Sequence, residues 1–368
     1  MARHFTQSAT YRDFKLSDIK SEAEAFLVLS EFAFGDRKTF ACPICGSVGD
    51  HYLRKTRKQW RCRDCDSTFS PTSGTALHKR KISCLTLVRA ILMYSVASNG
   101  KSASQAGAEL GVDTRTAWLL FSKLRECLVQ TWDTSPMSGE VQADGGHFCG
   151  KPRRANHRKK IESVAVNARL RGRKAALDPT LKRSAIEPWN AEKLKKRRVV
   201  LAVRQMAGTR GAGSNRTMVA VLKKEDAASA NPFIRRAVTA GSGMMTDSGG
   251  AFSALILDFD LRVVNHSKEY STPGGVNNNQ AESYMSRLRR GEFGVFRGMR
   301  PRYFLDYCVE MAWREDLRRK TIKEKMLDIF RRVRQCQQSP SFCGYYQGTR
   351  RLGEWTECPW PLPEGVQG

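Results

Sequence analysis

Acidic residues are scarce in this chain of 368 residues, where 36 Asp and Glu stand against 63 Lys and Arg for a formal charge of +27. So one-sided a balance argues for a polyanionic partner, nucleic acid before an anionic membrane surface. No run of eighteen apolar residues occurs, which excludes a membrane-spanning helix on pattern grounds. The opening stretch MARHFTQSATYRDF has no apolar signal core, so a soluble cytoplasmic protein is expected. The eleven cysteines are an odd count without framework spacing, which argues against a disulfide scaffold and for a reduced compartment. No internal repeat appears.

Four of those cysteines are ordered. Cys42, Cys45, Cys62 and Cys65 form two Cys-x-x-Cys pairs separated by sixteen residues. Such spacing suits one tetrahedral structural zinc, each knuckle supplying two thiolates and the intervening hairpin folding back. The other seven are scattered.

Around this ribbon, expected at 41–77, the pattern changes several times. Residues 14–33 (FKLSDIKSEAEAFLVLSEFA) read as an amphipathic helix within an N-terminal segment 1–40. HYLRKTRKQWRC, leading into the second knuckle, has the alternation and aromatic content of a hairpin strand. From 83 to 131 the period becomes helical. Leu85, Val88, Ile91, Leu92 and Val96 make one stripe, stopped at Asn99-Gly100. Ser102 can then cap a short helix ending at Leu110, Gly111 supplies a turn, and Asp113 or Thr114 caps the next helix. That is a helix-turn-helix pattern, which would present Arg115 and its exposed neighbours to a DNA groove.

Beyond Met137 the reading is a mixed α/β domain, 138–300. GEVQADGGHF (139–148) is a short strand ending at Asp144, with Gly145-Gly146 after it. Val-rich segments at 197–206 and 216–224 are further strands, EDAASANPFIRRAV is a helix, and another helix runs from about Asn278 to Arg290. Residues 151–198 interrupt this domain with seventeen Lys or Arg and four acids, a net +13. KPRRANHRKK within it contributes Lys151, Arg153, Arg154, Arg158, Lys159 and Lys160, read as a backbone-tracking arm whose phosphate contacts release counterions. IESVAVNARL (161–170) is a strand candidate without a place in the sheet order. Residues 301–368 form a C-terminal helical segment and tail.

Against this cationic background three acids beside small or apolar residues invite explanation. Asp144 precedes two glycines, Asp247 lies in MMTDSGG, and Glu282 lies on the helix in NNNQAESYMSRLRR. Three carboxylates from two strands and a helix can hold two divalent cations about 4 Å apart for phosphoryl transfer, and Mg2+ or Mn2+ suits such oxygen ligands. Taken singly each acid would be a capping or surface residue, and the ensemble gives them value. Asn279 and Arg289 share a helical face with Glu282, the first to orient a carboxylate or cap the helix, the second to reach a phosphate. Glu292, Glu310 and Glu315 are rival third acids, although Glu310 also suits an ion pair with Arg314 four residues on.

These motifs carry a resemblance. CPICGS…WRCRDCDSTFSPTSGT, the Asp144-Gly turn, TDSGGAF, VNHSKEY, NNNQAESYMSRLRRGEFGVF and the YCVEMAWRED helix together resemble bacterial insertion-sequence transposases of the DDE type, the zinc-ribbon branch called family fifteen-ninety-five. The resemblance covers roughly residues 20–325. It implies a ribonuclease-H-like catalytic core and a triad of Asp144, Asp247 and Glu282, with Asn279 and Arg289 as companions and Asn279 the nearest rival to Glu282. It implies, further, a metal-dependent strand transferase of a prokaryotic, nucleoid-associated kind. Its partners would be double-stranded element ends and target DNA, bound as a homodimer or higher assembly. A metal-dependent nuclease and a non-enzymatic DNA-binding regulator are the alternatives.

Overall fold

The computed structural model describes residues 13–149, 195–208, 213–247, 250–264, 277–339, 341–342, 351 and 353–357. The basic segment with Lys151, Arg153, Arg154, Arg158, Lys159 and Lys160, the strand candidate at 161–170 and most of VNHSKEY lie outside them.

The first helix, α1 (Glu22–Phe34), begins where the sequence carries Ser-x-x-Glu. Ser21 accepts from the Glu24 N–H while the Glu24 carboxylate receives the Ser21 N–H, a reciprocal capping box. Gly35, at φ 85°, ends the helix in the left-handed region that a Cβ disfavours. Two small antiparallel sheets follow, β1 (Thr39–Ala41) with β2 (Val48–Asp50), then β3 (Tyr52–Arg54), β4 (Gln59–Arg61) and β5 (Thr68–Phe69). Buried Trp60 docks them on α1. Its indole N–H donates to Ser30 Oγ at 3.0 Å and its ring lies 5.7 Å from that of Phe26.

Three helices come next: α2 (Cys84–Val96), α3 (Ala103–Leu110) and α4 (Thr114–Gln130). Ser102 caps α3, Gly111 turns the chain at φ 66°, and Asp113 caps α4 by accepting the Arg115 N–H. A Cβ on Gly107 would stand 2.9 Å from the Val112 carbonyl, so the two helices meet through that hydrogen. The second half of α4 is not a solvated recognition helix. Residues from Leu124 to Val129 are all buried, Arg125 and Glu126 included.

The largest sheet has five strands: β6 (Glu140–Phe148), β7 (Arg198–Met206), β8 (Ser214–Leu222), β9 (Gly243–Asp247) and β10 (Asp260–Val264). Their order is β10-β9-β6-β7-β8. The first three in the chain form an antiparallel meander, and β9 and β10 run parallel to β6. Interior β7 is buried from Val199 to Val203, as its unbroken run of apolar residues requires between two covered faces. On one face lies α5 (Ala227–Ala237) with the 3-10 turn at Gly250–Leu257. On the other lie α6 (Asn279–Arg290) and α7 (Phe304–Asp316), whose apolar cluster continues into α1, α2, α4 and α8 (Ile322–Gln335).

One expectation is corrected here. Asp144 does not end its strand, because β6 continues to Phe148 by pairing with β7 through to Arg198. Gly145 and Gly146 are therefore strand residues rather than a turn. A Cβ on Gly145 would meet the Glu225 carboxylate at 2.3 Å, and one on Gly146 would meet Met285 Sδ and the Phe148 ring at 2.9 Å. Close packing on both faces of the strand, not chain reversal, explains the pair.

Candidate functional site

Both cysteine knuckles fold alike. The Cys42 N–H donates to the Ser47 carbonyl at 2.8 Å and the Cys62 N–H to that of Ser67 at 2.9 Å. Each turn needs a left-handed residue after its second cysteine, supplied by Gly46 at φ 76° and Asp66 at φ 58°. The turns bring Cys42 Sγ within 3.9 Å of Cys65 Sγ, and Cys45 Sγ within 3.6 Å of Cys62 Sγ. A tetrahedron with Zn–S bonds of ~2.3 Å has edges of about 3.8 Å, so the quartet fits one zinc. Ser67, donating through hydroxyl and amide, pulls the Cys65 thiol down to about 6. Cys45, despite the Ser47 amide, is pushed up to about 12 by the thiols around it. Such crowded sulfurs shed their protons together only against a cation.

The acids meet on the face of the large sheet covered by α6. Parallel pairing of β6 with β9 sets Gln142 beside Met245 and Ala143 beside Thr246, and it stops there. The next residues in register are Asp144 and Asp247, on adjacent strands with side chains to the same face. Over them lies α6, with Glu282 in its first turn and Met285 and Arg289 against Gly146. The Asp144 carboxyl is raised to about 6, first by burial and then by the charges of Glu282 and Asp247, against the Gly145 amide and Arg289. Three acids 138 residues apart at the extremes thus sense one field. Among the described residues only the four thiols have ligand atoms all within 4.8 Å of one another, and the carboxylates stand wider.

The companions differ in placement. Arg289 is exposed, its guanidinium 5.7 Å from the Phe148 ring centroid. Asn279 is exposed at the first position of α6, where its N–H donates to Asn277 Oδ1 at 3.3 Å. The rival acids are engaged elsewhere. Glu310 receives Arg125 at 2.5 Å and Arg314 at 3.0 Å, as its spacing from Arg314 predicts. Glu315 forms an ion pair with Arg287 at 2.9 Å, and Glu292 accepts the Cys149 N–H at 2.9 Å. Arg115 is exposed in the first turn of α4, away from the half of that helix packed on α7.

Sequence reading missed Gln142. It is wholly buried two residues before Asp144, and its amide bonds the start of α6. One amide between buried Val141 and Ala143, two residues before Asp144, was the available signal.

Residues 136–316 match the model of the ISXO2-like transposase domain, and residues 20–68 that of the transposase zinc-ribbon domain. The chain belongs to the ISXO2-like, zinc-ribbon insertion-sequence transposases. No curated protein and no solved structure matches it. The larger match spans β6 to α7 and so takes in all three acids, and the smaller takes in both knuckles. No helix among the described residues is long and apolar enough to cross a membrane.

Proposed function

We propose that this transposase binds the terminal inverted repeats of its own element, cuts a DNA strand there and joins the freed 3′ end to target DNA. The observation that carries this is the grouping of Asp144, Asp247 and Glu282 on one sheet face, close enough for the other two to raise Asp144. The strand order β10-β9-β6-β7-β8, with an antiparallel meander first, is the order expected of a ribonuclease-H-like core and supports the same reading.

In this reading Asp144, Asp247 and Glu282 hold two Mg2+ or Mn2+. Bound there, the cations would activate an attacking oxygen and stabilise the leaving one in an in-line displacement. Wider spacing than the thiols suits carboxylates that grip two ions rather than one. Arg289, exposed beside Asp144, receives a backbone phosphate, and Asn279 orients the Glu282 carboxylate. Burial of Asp144 keeps water from screening the site, while a pKa of about 6 leaves it mostly ionised at neutral pH. No covalent enzyme intermediate is required.

DNA is engaged elsewhere by the ribbon, by the α3–α4 helix-turn-helix through Arg115, and by the basic arm of Lys151, Arg153, Arg154, Arg158, Lys159 and Lys160. Paired element ends call for a dimer or higher assembly on DNA.

The test is cleavage and joining of a labelled element end with Mg2+ present or chelated. Wild type cuts and joins, whereas Asp144→Asn and Asp247→Asn bind the end yet do neither. Cutting without joining favours a nuclease, and full activity in either variant removes that acid from the site.

A further inference from the structure

Side chains of the sheet hold the first turn of α6 at both poles of one residue. Gln142 Oε1 accepts the Gln280 N–H at 2.8 Å, and Gln142 Nε2 donates to Asn277 Oδ1 at 3.0 Å. From the neighbouring strand, Arg204 Nη1 donates to the Gln280 carbonyl at 2.7 Å and Arg204 Nε to Thr217 Oγ1 at 3.1 Å. Both Gln142 and Arg204 are buried. Thr217 is fixed in turn by Asp316, which accepts its N–H at 2.9 Å and its hydroxyl at 2.6 Å. Glu315, 3.7 Å from Arg204, closes the ring as an ion pair with Arg287 of α6 itself.

An ordinary helix cap satisfies the orphan N–H groups of the first turn from the residue just before it. Asn278 stands at that position and makes no side-chain cap bond. Beside the local bond from the Asn279 N–H to Asn277 Oδ1, the Gln280 N–H is capped from β6, which makes that bond a tether as well. Gln142 lies two residues before Asp144 with its side chain on the same face of β6, and Gln280 lies two before Glu282. One amide therefore fixes the distance between the backbone segments that carry two of the three acids. A local cap would complete the helix and leave that distance free.

We infer that Gln142 and Arg204 are positioning residues that set the reach of Glu282 toward Asp144 and Asp247, and with it the affinity of the site for divalent cations. The inference rests on reading those acids as the metal site. Gln142→Met keeps the volume and removes both hydrogen bonds. Losing an outer partner of a metal ligand lowers metal affinity roughly 10–100-fold, and the lower end is expected here because Arg204 still holds the carbonyl.

The experiment is Mn2+ titration of the zinc-loaded full chain, by calorimetry or by the Mn2+ resonance signal, with thermal melting alongside. Gln142→Met should weaken Mn2+ binding about 10-fold, Glu282→Gln more, and the double variant no further than Glu282→Gln alone. Asn277→Ala, which removes the outer bond and the local bond to the Asn279 N–H but leaves Gln142 on Gln280, should give a smaller loss. It decides by the same criteria if Gln142→Met does not melt cooperatively. Unchanged Mn2+ binding in Gln142→Met, with Glu282→Gln weakened, overturns the inference and leaves the proposed function standing. An equal loss from Gln142→Met in the Glu282→Gln background also overturns it, because the amide then acts through something else. Unchanged binding in Glu282→Gln defeats the metal-site reading itself.

Discussion

Arg125 of α4 donates to Glu310 of α7 at 2.5 Å, with side-chain exposures of 4% and 2%. Arg314 joins the same carboxylate, and its Nη1 reaches the carbonyls of Tyr94 and Ala97 at the end of α2, 2.6 and 2.5 Å away. Despite burial, Arg125 and Arg314 keep the Glu310 carboxyl below its usual range. Helices α2 and α4 are therefore locked to α7 through a buried cluster of charges. Arg125→Met should cost roughly 1–3 kcal/mol, because buried Glu310 loses one of its two guanidinium partners and keeps Arg314. Urea unfolding checks it, and a loss below about 1 kcal/mol would contradict the account.

Zinc content is the second measurable. Cys42→Ser should bind no zinc at stoichiometric metal, because the three remaining thiols cannot close the tetrahedron. Binding to the element end should fall more than binding to random DNA, which follows net charge. Elemental analysis of purified protein decides, and full zinc occupancy would refute the ligand assignment.

The two glycines after Asp144 should respond differently. Alanine at Gly146 meets Met285 and the Phe148 ring, so it presses on α6 and should cost about 1–3 kcal/mol. Alanine at Gly145 meets only the end of the Glu225 side chain, 35% exposed and paired with His147 at 2.8 Å, and that carboxylate can swing into water. Its cost should stay below about 1 kcal/mol, since exposed pairs contribute little. Equal melting shifts in the two variants would show that both faces are equally tight.

A pH dependence follows from Asp316. Burial raises its carboxyl to about 7, against the Thr217 donors and Arg204, with Glu315 adding to the rise. Its unfolded value is about 3.9. Between those values the folded chain holds a proton that the unfolded chain has released, so this group's contribution to stability declines as pH climbs through the window. Asp316→Asn removes that decline while keeping an acceptor for Thr217. Relative to wild type, the variant should gain stability from pH 5.5 to pH 8 in urea unfolding. A constant difference across that range would sink the assignment.

Much of the local structure was legible. Ser102, Gly111 and Asp113 sit where they were expected, since each partner lies within a few residues along the chain, whereas the first helix, expected over 14–33, begins only at Glu22 behind the Ser21 cap. Cys-x-x-Cys spacing announced the ribbon for the same reason. The Gly-Gly pair misled, because a local reading takes two glycines for a turn, whereas the strand continues through both, with Gly146 packed on α6 and Gly145 facing the movable Glu225 carboxylate. Arg125 and Glu126 carry no local sign of their burial, since a charge on a helix shows its partners only in the folded chain. Glu126 finds its partners in Ser339 and the Ser341 N–H, more than two hundred residues on.

By itself the sequence determined the zinc knuckles, the caps of α3 and α4, the Val-rich strands and the cationic character. Each of these is a short-range property of spacing, periodicity or charge count. Tertiary structure alone decided which acids share a field and what holds them in place. The bond from Gln280 to Gln142 closes 138 residues of chain. Nothing near either residue marks the other, because an amide becomes a tether only when a sheet and a helix bury it between them.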